Sequence, residues 1–143
     1  MDNSLQAFLA ENAIKAENIK YVTSKRFIGT DKQPIEWELR VLTSEEDEAI
    51  KKTCKKKVFI PGTREAKIEL DSDKYAEELI CACVVYPNLH DATLQDSYGV
   101  VGANQLIRKM LTPGEYTDLY LMVSQVNGFE VGMDDKKISQ AKN

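Results

Sequence analysis

One histidine, His90, stands in the whole chain, beside three cysteines, Cys54, Cys81 and Cys83. The scarcity of histidine restricts acid–base chemistry, because any triad or dyad would have to be assembled around His90 in the connection Asn88-Leu89-His90-Asp91. No nucleophile is marked beside it, and it reads as an exposed loop side chain. An odd number of cysteines, two of them inside an apolar run, argues against a disulfide framework and for reduced, buried thiols. Cys81 and Cys83 also lack the spacing and the second ligand pair of a zinc site. Glycine is sparse as well: Gly99 and Gly102 are too few to cradle a phosphate, and no GK[ST] follows them. Asp71, Asp73 and Glu77 lack the turn glycine and the later bidentate glutamate of a calcium loop, and helix capping accounts for them. No apolar run approaches the length of a membrane span, and the opening MDNSLQAFLAEN carries two acids and no basic n-region. Neither a secretory signal nor a span is therefore expected, which points to the cytoplasm. No catalytic, metal or cofactor-binding residue emerges, and the expectation is a binding protein with no cofactor.

The composition that is present suits a folded domain. Hydrophobic residues make up 43% and charged residues 29% of 143 residues, ordinary proportions for a single globular unit. A chain of this length buries roughly two-thirds of the surface its unfolded form exposes, enough for one core. The net charge of −4 opposes attraction to nucleic acid or an anionic membrane. Lys51, Lys52, Lys55, Lys56 and Lys57 form a basic run, but Asp47 and Glu48 precede Lys51 and Lys52 by four residues. A solvated helix end explains the run better than a phosphate-binding patch. Protein partners are the default.

Local patterns predict the elements. Leu5, Phe8 and Leu9 repeat at helical spacing behind Asn3 or Ser4, so a short amphipathic helix opens the chain. Ile19 to Phe27 and Ile35 to Leu42 are rich in β-branched and aromatic residues. Within the second run, Ile35, Trp37, Leu39 and Val41 alternate with Glu36, Glu38 and Arg40, predicting an antiparallel hairpin with one apolar face across a longer loop at Gly29, Asp31 and Pro34. Thr43 and Glu46 have capping-box spacing, and acids at one pole with lysines at the other predict a helix from about Ser44 to Lys55. Val58-Phe59-Ile60 and Ala66 to Leu70 flank Pro61-Gly62 as a second hairpin. Asp71 or Ser72 caps a helix that runs through the core over the apolar stretch Leu79 to Tyr86; a buried strand there is the alternative that periodicity allows, but the cap and Lys74, Glu77 and Glu78 favour helix. Pro87 ends it, and Asp91 caps a short helix through Leu94 to Ser97 before Gly99. Next, Val100, Ala103, Leu106, Ile107, Met110 and Leu111 share a helical stripe. A last helix opens with Thr112 as cap, Pro113 at its first position and Glu115 at its third, and its apolar face comprises Tyr116, Leu119, Tyr120, Val123 and Val126. Gly128 ends that helix, and a polar, mobile tail is expected over 129–143. The sum is an α+β fold: a single, mainly helical domain over 1–128 with one or two antiparallel hairpins on a bundle of about five helices. On the last helix the stripe widens to Met122, and Leu121 falls off the core side. A surplus of this kind can mark a partner face, though an isolated exposed leucine is usually an ordinary surface residue; the last helix, through Tyr116, Tyr120 and Leu121, is the candidate partner-binding surface.

The stretch PNLHDATLQDSYGVVGANQLIRKMLTPGEYTDLYLMVSQVNGF, Pro87 to Phe129, resembles the XkdN-like family of phage tail assembly chaperones, found in phages, prophages and phage-tail-like bacteriocins of Gram-positive bacteria. The resemblance extends to LQAFLAEN, the pair IKYVTSKRF and PIEWELR, the helix start TSEEDEAI and the closing AKN, and it is weakest from Lys55 to Lys67. It implies a non-catalytic protein that binds the coiled-coil-prone tape measure protein, keeps it soluble, helps recruit tail tube protein subunits and leaves the finished tail. It also implies a longer, frameshifted form and self-association, since codons of the form GCA-AAA-AAC at Ala141-Lys142-Asn143 would make a slippery run. A structural tail component, such as a tube or baseplate protein, is the alternative.

Overall fold

A computed structural model describes residues 4–128. Local sequence chemistry sets most element boundaries. Helix α1 (Ser4–Phe8) forms as the spacing predicts, but it buries no side chain: Leu5 and Phe8 both face solvent. Strands β1 (Ile19–Tyr21) and β2 (Trp37–Leu39) pair antiparallel, with Ile19 opposite Leu39 and Tyr21 opposite Trp37. They are shorter than the apolar runs that suggested them. The hairpin continues beyond them only as the isolated bridge between Ile28 and Pro34 and the bond from the Ile35 N–H to the Phe27 carbonyl. Trp37 and Leu39, two apart in a pleated strand, point to one face and are 1% and 0% exposed.

Helix α2 (Ser44–Lys52) begins with the complete capping box: the Thr43 hydroxyl accepts from the Glu46 N–H, and the Glu46 carboxylate accepts from the Thr43 N–H. The lysine run divides, contrary to the expected helix end. Lys51 and Lys52 close α2, whereas Lys55, Lys56 and Lys57 open strand β3 (Lys55–Phe59). The chain turns at Thr53, whose N–H bonds the Ile50 and Lys51 carbonyls, and drops the fully buried Cys54 between helix and strand. Strand β3 pairs antiparallel with β4 (Ala66–Leu70) across Pro61-Gly62, the second hairpin the sequence predicts.

Helix α3 (Ser72–Cys83) is capped by Asp71, whose Oδ1 accepts from the Lys74 N–H at 3.2 Å. The helix expected to run through Tyr86 is overturned in its last three residues, where the strand alternative holds because backbone pairing with β2 is available. The helix ends at Cys83, and β5 (Val84–Tyr86) adds antiparallel to β2, giving the order β1-β2-β5 with an irregularity between Glu38 and Leu39. Asp91 caps α4 (Ala92–Ser97), and Gly102, at φ 96°, precedes α5 (Ala103–Met110). Thr112, Pro113 and Glu115 start α6 (Pro113–Val126), and Gly128 at φ 87° follows it. The described residues therefore form six helices and two small antiparallel sheets, an α+β fold. The tail expected over 129–143, and Asn3 as a cap, lie outside them.

The core gathers on α3. Leu79, Ile80 and Cys83 pack with Trp37 and Leu39 of the sheet, Leu106 and Ile107 of α5, and Leu119 and Val123 of α6. Full burial of each large apolar side chain contributes about 1.5–3 kcal/mol. Of the stripe read for α5, Ala103, Leu106, Ile107, Met110 and Leu111 are buried, whereas Val100 lies before α5 and is only partly buried. Asn127 ties the end of α6 to the segment between β2 and α2: its Oδ1 accepts from the Leu42 N–H at 2.7 Å, and its Nδ2 donates to the Val123 carbonyl at 2.9 Å.

Candidate partner-binding surface

Helical geometry separates the three side chains singled out on α6. Tyr116 and Tyr120, four residues apart, lie on one face, and both pack half-buried against the rim of the core. Leu121 is rotated about 100° from Tyr120 and is 42% exposed. It shares the outer face with Thr117, Asp118 and Gln125.

Tyr116 lies beneath the Arg108 guanidinium, 5.3 Å from its ring centroid, and Arg108 is held in turn by Glu77 at 2.9 Å. The Tyr116 hydroxyl is buried and, among the described residues, has no hydrogen-bond partner. Burial is the main reason its phenol resists ionisation more than a free tyrosine. Tyr120 lines a pocket of about 250 Å³ with Lys51, Tyr75, Leu79 and Ser124. On its wall the Tyr75 hydroxyl donates to Asp47, which also pairs with Lys51 at 3.1 Å. Desolvation, then the Asp47 hydrogen bond, raises the Tyr75 pKa well above its ordinary value.

A second concavity, about 180 Å³ and almost wholly apolar, opens beside the three-stranded sheet between Phe27, Trp37, Tyr86, Leu94 and Tyr98. Exposed apolar side chains occur elsewhere too: Phe59 and Ile68 on the second hairpin, and Val101 before α5. Only 66–70 carries a sequence signal for an apolar face here, since Ala66, Ile68 and Leu70 alternate with Lys67 and Glu69, whereas 55–59 does not alternate.

The groups that could do chemistry lie apart. His90 is exposed in the connection before α4, where its N–H donates to Asn88 Oδ1. The cysteines are unbridged. Burial pushes the Cys81 thiol up to about 12, with Glu78 and Glu77 adding to it, and the Cys83 thiol up to about 11. Neither is a thiolate at neutral pH. Among the described residues no group of three or more His, Cys, Asp or Glu side chains could hold a metal ion, and no helix is long and apolar enough to cross a membrane.

Comparison with known proteins identifies the family. The family model described as phage XkdN-like tail assembly chaperone protein matches residues 5–142. The phage-like element PBSX protein XkdN of Bacillus subtilis (strain 168) is 26% identical over 140 residues, 97% of this chain and 93% of the relative. YqbN of the same strain is 25% identical over 140 residues, with the same coverage. The crystal structure of YqbN superimposes with a TM-score of 0.72 at 22% identity, covering 87% of this chain and 95% of that one, so the two share a fold. With a match running nearly end to end, the chain belongs to the XkdN-like family of phage tail assembly chaperones.

Proposed function

We propose that this chaperone binds the tape measure protein in the bacterial cytoplasm, keeps it soluble, helps recruit tail tube subunits, and is absent from the mature particle. The role is non-catalytic. The observation that carries the reading is the near end-to-end family match on a domain that displays large apolar side chains outside its core, Leu121 among them. A long protein with coiled-coil seams exposes apolar surface until its tube closes around it, and such surface aggregates. Small acidic domains bound along it would cover the seams and add charge. Many weak contacts give net affinity yet remain releasable as tube subunits polymerise. Self-association, and a longer frameshifted form of the chain, fit the same scheme. A nucleotide sequence with no slippery run at the codons for Ala141-Lys142-Asn143, or with no overlapping frame after it, would remove the frameshift.

Coexpression with the adjacent tape measure protein is the test. The tape measure protein is expected to become soluble and to co-purify, and Leu121→Asp is expected to weaken the complex while the free domain keeps its Tm. Persistent insolubility without co-purification would refute the proposal. Mass spectrometry of finished particles should find no stoichiometric copy of the chain.

A further inference from the structure

The β3–β4 hairpin differs from the rest of the domain in charge and in packing. Residues 55–70 carry Lys55, Lys56, Lys57, Arg64 and Lys67 against Glu65 and Glu69, a net +3 in a chain of net −4. The remainder is thus strongly acidic, and this arm is basic. Of its cations only Lys67 is ion-paired among the described residues, with Glu69 at 3.6 Å. The register sets Lys57 opposite Ile68 and Phe59 opposite Ala66, so Lys55, Lys57 and Phe59 share one face with Ala66, Ile68 and Leu70. On that face Phe59 and Ile68 are 65% and 66% exposed, diagonal neighbours across the ladder, with the Lys57 ammonium 5.7 Å from the Phe59 ring. Together Phe59 and Ile68 leave on the order of 200 Å² of apolar surface at the centre of a ring of cations, an exposed apolar patch with a polar rim. None of these side chains belongs to the core cluster, and the arm is tied at its base by the Asp71 N–H to the Cys54 carbonyl.

We infer that this face of the hairpin is a docking surface for an acidic amphipathic helix, whose aliphatic stripe covers Phe59 and Ile68 while its carboxylates meet Lys55, Lys57 and Arg64. Charge complementarity selects the partner's sign. The sheet selects its shape: among the described residues the outer edges of β3 and β4 are unpaired, but the three lysines that open β3, and Lys67 and Glu69 in β4, disfavour strand addition, which leaves the face. Nucleic acid would be served by the cations but not by two large aliphatic and aromatic side chains at the centre of the patch with a single ring to stack on. The inference goes beyond the proposed client, because the hairpin would take any helix of this chemistry.

The experiment is fluorescence anisotropy of the full chain with a labelled peptide of about four heptads bearing Leu at the seam and Glu elsewhere. A Lys counterpart of the same seam and a single-stranded RNA serve as competing probes. The Glu peptide should bind in a salt-sensitive manner. It should bind at least about tenfold more weakly to Phe59→Thr/Ile68→Thr, which preserves strand propensity, and to Lys55→Glu/Lys57→Glu/Arg64→Glu. Circular dichroism and Tm establish that both variants fold. Equal binding of the Glu and Lys peptides, tighter binding of RNA, or a concentration-dependent dimer of the chain abolished by Phe59→Thr would overturn the inference. So would unchanged peptide binding by both folded variants, even where the tape measure protein still co-purifies and the client reading stands. Peptide binding that depends on the hairpin supports the inference even where the tape measure protein never co-purifies.

Discussion

Glu115 holds two boundaries at once, and its removal should show both. Its carboxylate accepts from the Thr112 N–H at 2.9 Å, completing the capping box of α6, and receives the Arg26 guanidinium in a bidentate pair at 2.5 and 3.3 Å. Arg26 also donates to the Met110 carbonyl at 2.7 Å, so one residue from the β1–β2 connection joins the end of α5 to the start of α6. Two substitutions separate these roles. Gln at the third helical position can still accept from Thr112, so Glu115→Gln removes mainly the ion pair. Because the Arg26 side chain is 50% exposed, the pair contributes at most about 1 kcal/mol. Glu115→Ala also breaks the reciprocal cap and should cost about 2 kcal/mol in all. For a domain of this size these losses correspond to roughly 4 °C and 8 °C in Tm.

The acid limb supplies the sharper check. The hydrogen bond from Arg26, assisted by Ser24 and the Thr112 backbone, holds the Glu115 carboxyl down to about 2 from an ordinary 4.5. A depressed folded-state pKa adds stability that is fully present above 4.5 and disappears as pH falls toward 2. The difference between wild type and Glu115→Gln should therefore be constant from pH 7 to about 5 and close to zero near pH 2. Urea titration followed by the fluorescence of Trp37, the single tryptophan, would measure it. A difference independent of pH, or none at pH 7, would refute the network's electrostatic role.

Three further outcomes follow from the same packing. Asn127→Ala should cost about 1–3 kcal/mol in urea titration, because it strands the Leu42 N–H in a part-buried site. Native protein at pH 8 should resist iodoacetamide at Cys81 and Cys83 and react only after unfolding, as peptide mass spectrometry would record; fast native labelling would contradict thiols raised by burial to about 12 and 11. Gly102→Ala should cost about 1–2 kcal/mol by thermal melting, since φ 96° is a backbone region that alanine avoids.

Elements whose signals are local were readable from sequence. Both capping boxes, at Thr43 and Thr112, rest on side chains that bond backbone within one turn, and no tertiary knowledge is needed to see them. The stripe of α5 was readable because its period alone fixes which side is apolar. What depended on distant partners was not. Val84–Tyr86 continues the apolar run of α3 without a break, and only pairing with β2 makes it a strand. The lysines at 55–57 matched a helix pole, but the helix ends at Lys52 and these residues pair with the distant β4 instead. Spacing at Leu5 and Phe8 identified a face, not what would cover it. On α6 the same logic holds: rotation per residue predicts that Leu121 leaves the core side, while only the packed structure shows Tyr116 and Tyr120 wedged at its rim.

This division between exposed and buried apolar residues has an energetic consequence for the proposed binding and release of a client. Leu121, Phe59 and Ile68 contribute little to the folded core, so their replacement by polar residues should change stability by no more than about 0.5 kcal/mol. Leu106→Ala, by contrast, empties a fully buried site and should cost about 2–5 kcal/mol. Because Leu121 is only 42% exposed, a partner can remove only part of its surface from water, and that contact stabilises a complex by about 1 kcal/mol. A contact that weak dissociates quickly by itself and holds only when repeated along a long partner, where several linked contacts multiply. Retention on an immobilised tape measure fragment should therefore rise steeply with fragment length for the wild-type chain, and less steeply for Leu121→Asp. If the shortest fragment bound as tightly as the longest, a single strong site would be at work, and the argument for release through many weak contacts would fail.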